Sequence, residues 1–159
     1  MKCVVLLSGG LDSAANLALS RSRGLEPVLA LTVDYGQKAA KEEGKAARKF
    51  SEIYGVKHAT VDIPFLGELG RRALTNRSMS VPALVPEELA SREATEKSAT
   101  AVWVPNRNGL LIAIAASFAE SLRAERVLIG FNREEAETFS DNSEEFGRLT
   151  TQALALSTR

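Results

Sequence analysis

An uninterrupted apolar run, Cys3-Val4-Val5-Leu6-Leu7, is broken by Ser8-Gly9-Gly10 and followed by a helix-compatible stretch; nothing else in the chain constrains its fold as strongly. A strand made of consecutive apolar residues has no polar face, so it must be covered on both sides. A parallel sheet with helices above and below meets that demand. The pattern then repeats. Asp12 to about Arg23 places Ala15, Leu17, Ala18 and Leu19 at helical positions, with Gly24 as the stop. Val28 to Asp34 is a second buried strand. Gln37 to Tyr54 is a charged helix with Ala40, Ala47, Phe50 and Ile53 as its apolar stripe, ended by Gly55. Lys57 to Ile63 alternates as a third strand. Strands and helices at this spacing specify right-handed crossovers. The expected fold is α/β: an open parallel sheet with helices on both faces, Rossmann-like.

Regularity lapses between Pro64 and Pro105, where Pro82 and Pro86 add further breaks. A short helix is expected over Phe65 to Leu74 and a small one from Pro86 to Arg92. The stretch from about 64 to 105 reads as a lid or insertion within a single domain spanning 1–159. Asn108 to Leu122 is a strongly apolar helix, Glu125 to Phe131 a fourth strand, Asn132 to Asn142 a polar acidic stretch, and Ser143 to about Leu156 a last helix.

With 159 residues, 45% of them apolar, the chain can bury one core unaided. Lys plus Arg equals Asp plus Glu at 20 each, which argues against a protein that coats nucleic acid electrostatically. Cys3 is the only cysteine, so neither an internal disulfide nor a cysteine zinc cluster can form, and a reducing, cytoplasmic setting is the natural reading. No signal peptide and no membrane-length apolar stretch is present.

Ser8-Gly9-Gly10-Leu11-Asp12-Ser13 lies between the first strand and the first helix, the position where open parallel sheets bind ligands. Two glycines let backbone approach an anion, Ser8 and Ser13 carry hydroxyls, and the helix start offers unpaired N–H groups. Asp12 either holds a magnesium ion between phosphate oxygens or caps the helix. The string is neither a dinucleotide fingerprint nor a Walker loop, since no lysine follows the glycines.

The segment SGGLDS resembles the S-G-G-x-D-S signature of the PP-loop (N-type) ATP pyrophosphatases. Membership implies an adenine-nucleotide alpha-hydrolase-like sheet and cleavage of ATP between its α and β phosphates. It implies that Ser8, Gly9, Gly10, Leu11, Asp12 and Ser13 cradle pyrophosphate, with Asp12 and Ser13 catalytic and Asp12 the magnesium ligand. It also implies that Thr32 to Asp34 lie near the adenine.

Three further segments resemble one branch, the 7-cyano-7-deazaguanine synthases (the QueC or ExsB family). Val33-Asp34-Tyr35-Gly36-Gln37 is similar to its F-D-Y-G-Q, and Val104-Pro105-Asn106-Arg107-Asn108 to its V-P-x-R-N. Ile129-Gly130-Phe131-Asn132 with Ser140-Asp141-Asn142-Ser143 and Glu145-Phe146 is similar to its I-x-G and Y-P-D-C-R-x-x-F region. This resemblance implies ATP-dependent conversion of 7-carboxy-7-deazaguanine and ammonia into the nitrile preQ0 for queuosine or archaeosine in tRNA, by a homodimer with no direct nucleic-acid partner and no membrane. Asp34, Tyr35, Gln37, Asn108, Gly130 and Asp141 join the binding set, and Arg107 the catalytic set. A forked guanidinium at Arg107 suits either a carboxylate or a phosphate, or else is solvated at a helix start. Asn108 orients the base or ribose, or caps the helix. Asp141 accepts the N–H groups of a guanine-like edge, or caps the last helix.

The lone His58, at a strand start, is read as structural, and Trp103 as a core or lid anchor. Glu134, Glu135 and Glu137 are read as an exposed acidic loop rather than a metal site. The family continues with a four-cysteine zinc site near its C-terminus; no cysteine follows Cys3, so zinc is not expected in this chain, read as a fragment or a shortened paralogue. Rival readings are another PP-loop enzyme, of the tRNA thiolase or amidotransferase type, and a nucleotide-binding regulatory protein without catalysis.

Overall fold

The computed structural model describes residues 1–70 and 103–159. Strand β1 (Lys2–Leu6) pairs in parallel with β2 (Glu26–Asp34), and β2 with β3 (His58–Asp62). On its other side β1 takes β4 (Arg126–Leu128), again in parallel, giving the order β3-β2-β1-β4. Alternate residues of β1 therefore feed two cores. Cys3, Val5 and Leu7 pack with Leu17 of helix α1 (Leu11–Ser20) and Ala47 of α2 (Ala40–Tyr54). Val4 and Leu6, with Leu29, Leu31 and Val33, pack against Ala115 and Ala119 on the opposite face. Those two alanines belong to α4 (Arg107–Ser121), which follows the short α3 (Phe65–Gly70). This is the expected open parallel sheet with helices on both faces. Leu7, Leu17 and Leu31 are almost fully buried, each contributing about 1.5–3 kcal/mol of apolar transfer energy.

Element ends differ from expectation for identifiable reasons. After Ser20, α1 tightens into a 3-10 turn, Arg21–Arg23, and stops at Gly24, whose φ of 72° only glycine adopts freely. Helix α2 begins at Ala40 rather than Gln37 because the Gln37 amide is engaged in the preceding turn. It accepts the Tyr35 N–H (2.9 Å) and donates to Glu43 (2.8 Å). Strand β2 starts before Val28 and runs through Pro27. Pairing with β3 begins only at Ala30, so the missing N–H costs no bond on that side, and the β1–β2 register shifts between Cys3 and Val4.

Strand β4 stops at Leu128 instead of reaching Phe131, because the Ile129 carbonyl turns to accept a hydrogen bond from Asn16 of α1 (2.7 Å). The acidic stretch contains a helix, α5 (Arg133–Thr138), capped by Asn132, and a 3-10 turn, Ser140–Asn142. The last helix, α6 (Glu144–Ser157), is capped by the Ser143 hydroxyl, which accepts the Phe146 N–H (3.1 Å). Most of the excursion expected over 64–105, and the small helix from Pro86 to Arg92, lie outside the described residues. Among those described, no helix is long and apolar enough to cross a membrane.

Candidate functional site

In this topology the chain leaves β1 toward β2 on one side, while β4 returns on the other. The crevice between the carboxyl ends of β1 and β4 is thus a switch point, where such sheets bind ligands. A cleft of about 360 Å3 opens there. Leu7, Leu31, Val33 and Ile129 form its apolar floor, and Ser8, Asp12, Tyr35 and Arg107 stand around it.

The loop after β1 is tied to itself. The Ser13 hydroxyl donates to the Gly10 carbonyl (2.9 Å) and accepts the Ser8 N–H (3.3 Å). Its single hydrogen is thereby engaged, so the Ser8 hydroxyl is the donor across the 3.2 Å gap between the two side chains. Ser8 Oγ in turn accepts the Gly10 N–H (3.3 Å). Among the described residues no side chain caps α1 at Gly10, which leaves its first-turn N–H groups for a ligand. Gly130 makes this possible from the other wall: a Cβ there would lie 2.8 Å from the Ser13 nitrogen and 3.2 Å from the Asp12 carbonyl carbon. Gly9 has a different reason to be glycine. Its φ is 82°, and a Cβ would lie 2.7 Å from Ala46 Cβ on α2, so it seats the loop against that helix.

Asp12 is exposed at the rim, and Asn132 donates to its Oδ2 (3.1 Å) while capping α5 through its own carbonyl (2.8 Å to Glu135 N). The opposite wall starts at Asn106, whose φ of 50° turns the chain into α4. Asn106 occupies the N-cap position without a capping side-chain bond, and a Cβ at Gly109 would collide with its Oδ1. Asn108 is buried and both its amide hydrogens are engaged, one with Asn142 Oδ1 (2.8 Å) and one with the Asp141 carbonyl (3.3 Å). Asn142, buried in turn, donates to Glu135 (3.0 Å). Arg107 Nε donates to Asn108 Oδ1 (3.3 Å) and so is held at the cleft. Burial raises the Tyr35 phenol above its ordinary pKa, an effect the nearby charge of Arg107 only partly offsets. Among the described residues lining the cleft, Arg107 is the one cation.

Of the residues expected at the site, Ser8, Gly10, Leu11, Asp12, Ser13, Tyr35, Gln37, Arg107, Asn108 and Gly130 line this cleft. Gly9, Asp34 and Asp141 are not among its lining residues. Asp34 closes its own turn by accepting the Gly36 N–H (2.9 Å). Asp141 lines a smaller neighbouring cavity of about 220 Å3 with Trp103 and Phe139. Thr32, expected near the adenine, is buried, and its hydroxyl donates to the Leu7 carbonyl (2.6 Å). Sequence reasoning missed Asn132, Glu135 as a cleft residue, and Asn142. An asparagine three residues before Glu135 is a cap signal the sequence carries; its reach to Asp12 is not. Among the described residues, no group of three or more His, Cys, Asp or Glu is placed to hold a metal ion.

Residues 2–159 match the family described as queuosine biosynthesis protein QueC. The chain is 51% identical over 158 residues to the 7-cyano-7-deazaguanine synthase of Pelotomaculum thermopropionicum, covering 99% of this chain and 71% of that protein. It is 48% identical to the synthase of Desulforamulus reducens, over 99% of this chain and 69% of that protein. Against the synthase of Methanosarcina barkeri the identity is 43%, over 100% of this chain and 70% of that protein. With these matches spanning the switch-point loop, the Arg107 wall and the Gly130 turn alike, the chain belongs to the QueC family.

Proposed function

We infer that the chain is an ATP-dependent carbon–nitrogen ligase that makes 7-cyano-7-deazaguanine from 7-carboxy-7-deazaguanine and ammonia, the product being the one for which its relatives are named. The observation that carries the reading is the meeting of the uncapped start of α1 with side-chain-free Gly130 in a cleft where Arg107 is the one cation among the described lining residues.

A carboxylate is a poor electrophile. Attack of its oxygen on the α-phosphorus of ATP breaks the α–β bond, releases pyrophosphate and leaves an acyl adenylate. Ammonia then displaces AMP, losing a proton, to give the amide. In a second round the amide oxygen attacks another ATP, and loss of AMP and the nitrogen-bound protons gives the nitrile. The N–H groups of α1, with Ser8, Gly10 and Ser13, take the leaving pyrophosphate, where charge develops. Arg107, held by Asn108, keeps the substrate carboxylate beside the α-phosphate, and Tyr35, its phenol kept neutral by burial, lines the cleft with it.

Magnesium fits as ATP's companion: one carboxylate plus phosphate oxygens is its usual set, and Asp12 Oδ1 accepts from no described residue. It would neutralise phosphate charge there. Thiolase chemistry fits less well, because Cys3 is fully buried in the sheet and burial raises its thiol pKa. A cytoplasmic homodimer completes the reading. Leu122 after α4, and Leu149 and Leu156 on α6, are exposed and offer apolar surface for the contact.

Pyrophosphate release in the presence of ATP, magnesium, ammonium and 7-carboxy-7-deazaguanine tests the reading. Release that requires the deazapurine and is lost in Ser8→Ala/Asp12→Ala supports it; release indifferent to the deazapurine, or none, overturns it.

A further inference from the structure

We propose that the smaller cavity beside the cleft, carrying Asp141 and walled by Trp103 and Phe139, is the subsite that recognises the flat, guanine-like part of the carboxylate substrate. The proposal rests on the adenylating reading above and adds to it where the second substrate sits.

The main cleft, at about 360 Å3, is at the small end of sites for a single organic ligand, so two reactants need further room. The neighbouring cavity supplies about 220 Å3 and shares Arg107, Glu135 and Asn142 with the cleft. A molecule lodged there reaches the nucleotide across Arg107. The cavity's lining suits a planar heterocycle. The Trp103 and Phe139 rings lie 15° from parallel with centroids 6.2 Å apart, a wall against which a flat ring stacks with an offset.

Asp141 offers the complementary polar edge. No described residue donates to its carboxylate, whereas its backbone is fixed: its carbonyl accepts from Asn108 (3.3 Å), and the turn around it is closed by Asn142 N–H to Phe139 (3.0 Å) and Ser143 N–H to Ser140 (3.1 Å). A carboxylate accepts two N–H donors side by side, which is what the ring N–H and exocyclic amino group of a guanine-type edge present. Glu135 is less free, since one oxygen accepts from Asn142. With that edge at Asp141, the substrate carboxylate at the far end of the ring meets Arg107 at the junction of the two spaces.

The test compares the unaltered protein, Asp141→Asn and Phe139→Leu with two substrates: 7-carboxy-7-deazaguanine and its analogue lacking the exocyclic amino group. Asp141→Asn is nearly isosteric, and retained ATP binding by calorimetry verifies folding. The expected result is a rise in KM for the full substrate of about 10- to 100-fold, the size of a lost charged hydrogen bond, with the preference for the amino group abolished. ATP affinity stays within about twofold, because the phosphate contacts are untouched. Phe139→Leu raises KM for both substrates alike, through lost stacking. Unchanged KM and preference in Asp141→Asn, while the unaltered protein turns over, overturns the subsite and leaves the ligase reading standing. A parallel loss of ATP affinity also overturns it, by assigning the cavity to the nucleotide. No pyrophosphate release by the unaltered protein with the deazapurine removes the ligase reading itself, and the subsite with it.

Discussion

Asn132 Nδ2 lies 3.1 Å from Asp12 Oδ2, joining the loop after β1 to the segment after β4 across the mouth of the cleft. The same asparagine caps α5 through its carbonyl oxygen. One side chain thus orients the rim carboxylate and anchors the helix that carries Glu135. Asn132→Asp separates the two jobs. Aspartate caps a helix as well as asparagine does, but it replaces the donor facing Asp12 with a second negative charge. We expect kcat/KM for pyrophosphate release to fall about 10- to 100-fold, the usual loss when a residue that orients a catalytic carboxylate is changed. Thermal unfolding should shift little, and Asn132→Ala should lose both activity and about 1 kcal/mol of stability with the cap. Equal activity in Asn132→Asp and the unaltered protein would show that Asp12 needs no orienting partner.

Gly130→Ala should disable the site through backbone rather than side-chain contact. The added carbon meets the Ser13 nitrogen at 2.8 Å and the Asp12 carbonyl carbon at 3.2 Å, neither of which is the end of a flexible chain. Relief requires the α1 start to move away from β4. Forced packing of this kind costs about 1–3 kcal/mol. ATP affinity by calorimetry should drop at least tenfold, whereas Gly44→Ala, on an open face of α2, should leave it unchanged. Normal ATP binding by Gly130→Ala would mean that the α1 N–H groups are not the phosphate site.

The contiguous features were legible in the sequence, and the assembled ones were not. Ser8 to Ser13 announces itself because strand, glycines and helix start follow one another along the chain. Arg107 is similarly placed by the turn it follows. Asp34 ends β2 and Gln37 lies in the turn just after it, as the spacing implies. What the sequence does not reveal is that their polar groups close the turn onto Gly36 N–H and Glu43 rather than face outward. Asn132 and Asn142 meet partners 120 and 34 residues earlier in the chain, and those meetings depend on β4 pairing with Cys3 to Val5 of β1. Spacing along a chain carries no record of that register. The shortening of β4 has the same origin, since Asn16 takes the Ile129 carbonyl from 113 residues away.

Ser8→Ala and Ser13→Ala should differ in stability while both impair catalysis. Ser13 is buried, and its hydroxyl serves the Ser8 N–H and the Gly10 carbonyl together. Removing it takes the acceptor from the Ser8 N–H and one of two donors from the Gly10 carbonyl, which keeps the Ala14 N–H (3.0 Å), a cost of about 0.5–1.5 kcal/mol. Ser8 is exposed, and its loss frees groups that water can reach, so urea midpoints should change by no more than about 0.5 kcal/mol in equivalent stability. Because the two hydroxyls are in contact, the double variant should lose less than the sum of the single losses. Strict additivity in denaturant unfolding would show that the Ser8–Ser13 bond contributes nothing to the unliganded loop.

His58 should make stability fall as the medium is acidified. Its Nε2 lies 2.8 Å from Thr32 Oγ1, and that hydroxyl already donates its hydrogen to the Leu7 carbonyl. The imidazole must therefore be the donor, so its neutral form carries the proton on Nε2. Burial, reinforced by the charge of Arg48, lowers its pKa from the ordinary value of 6.5. Above that value the ring is neutral in both folded and unfolded chains and adds no pH dependence. As pH falls through it, the unfolded chain takes up the proton first, so the free energy of unfolding decreases until the folded-state pKa is also passed. Urea midpoints measured between pH 7.5 and 5 should decline more steeply for the unaltered protein than for His58→Gln, which keeps a donor near Thr32 but does not titrate. The carboxylates common to both proteins cancel in that comparison. Parallel curves would mean that His58 titrates alike folded and unfolded; a steeper decline in His58→Gln would mean that the folded protein favours the charged ring.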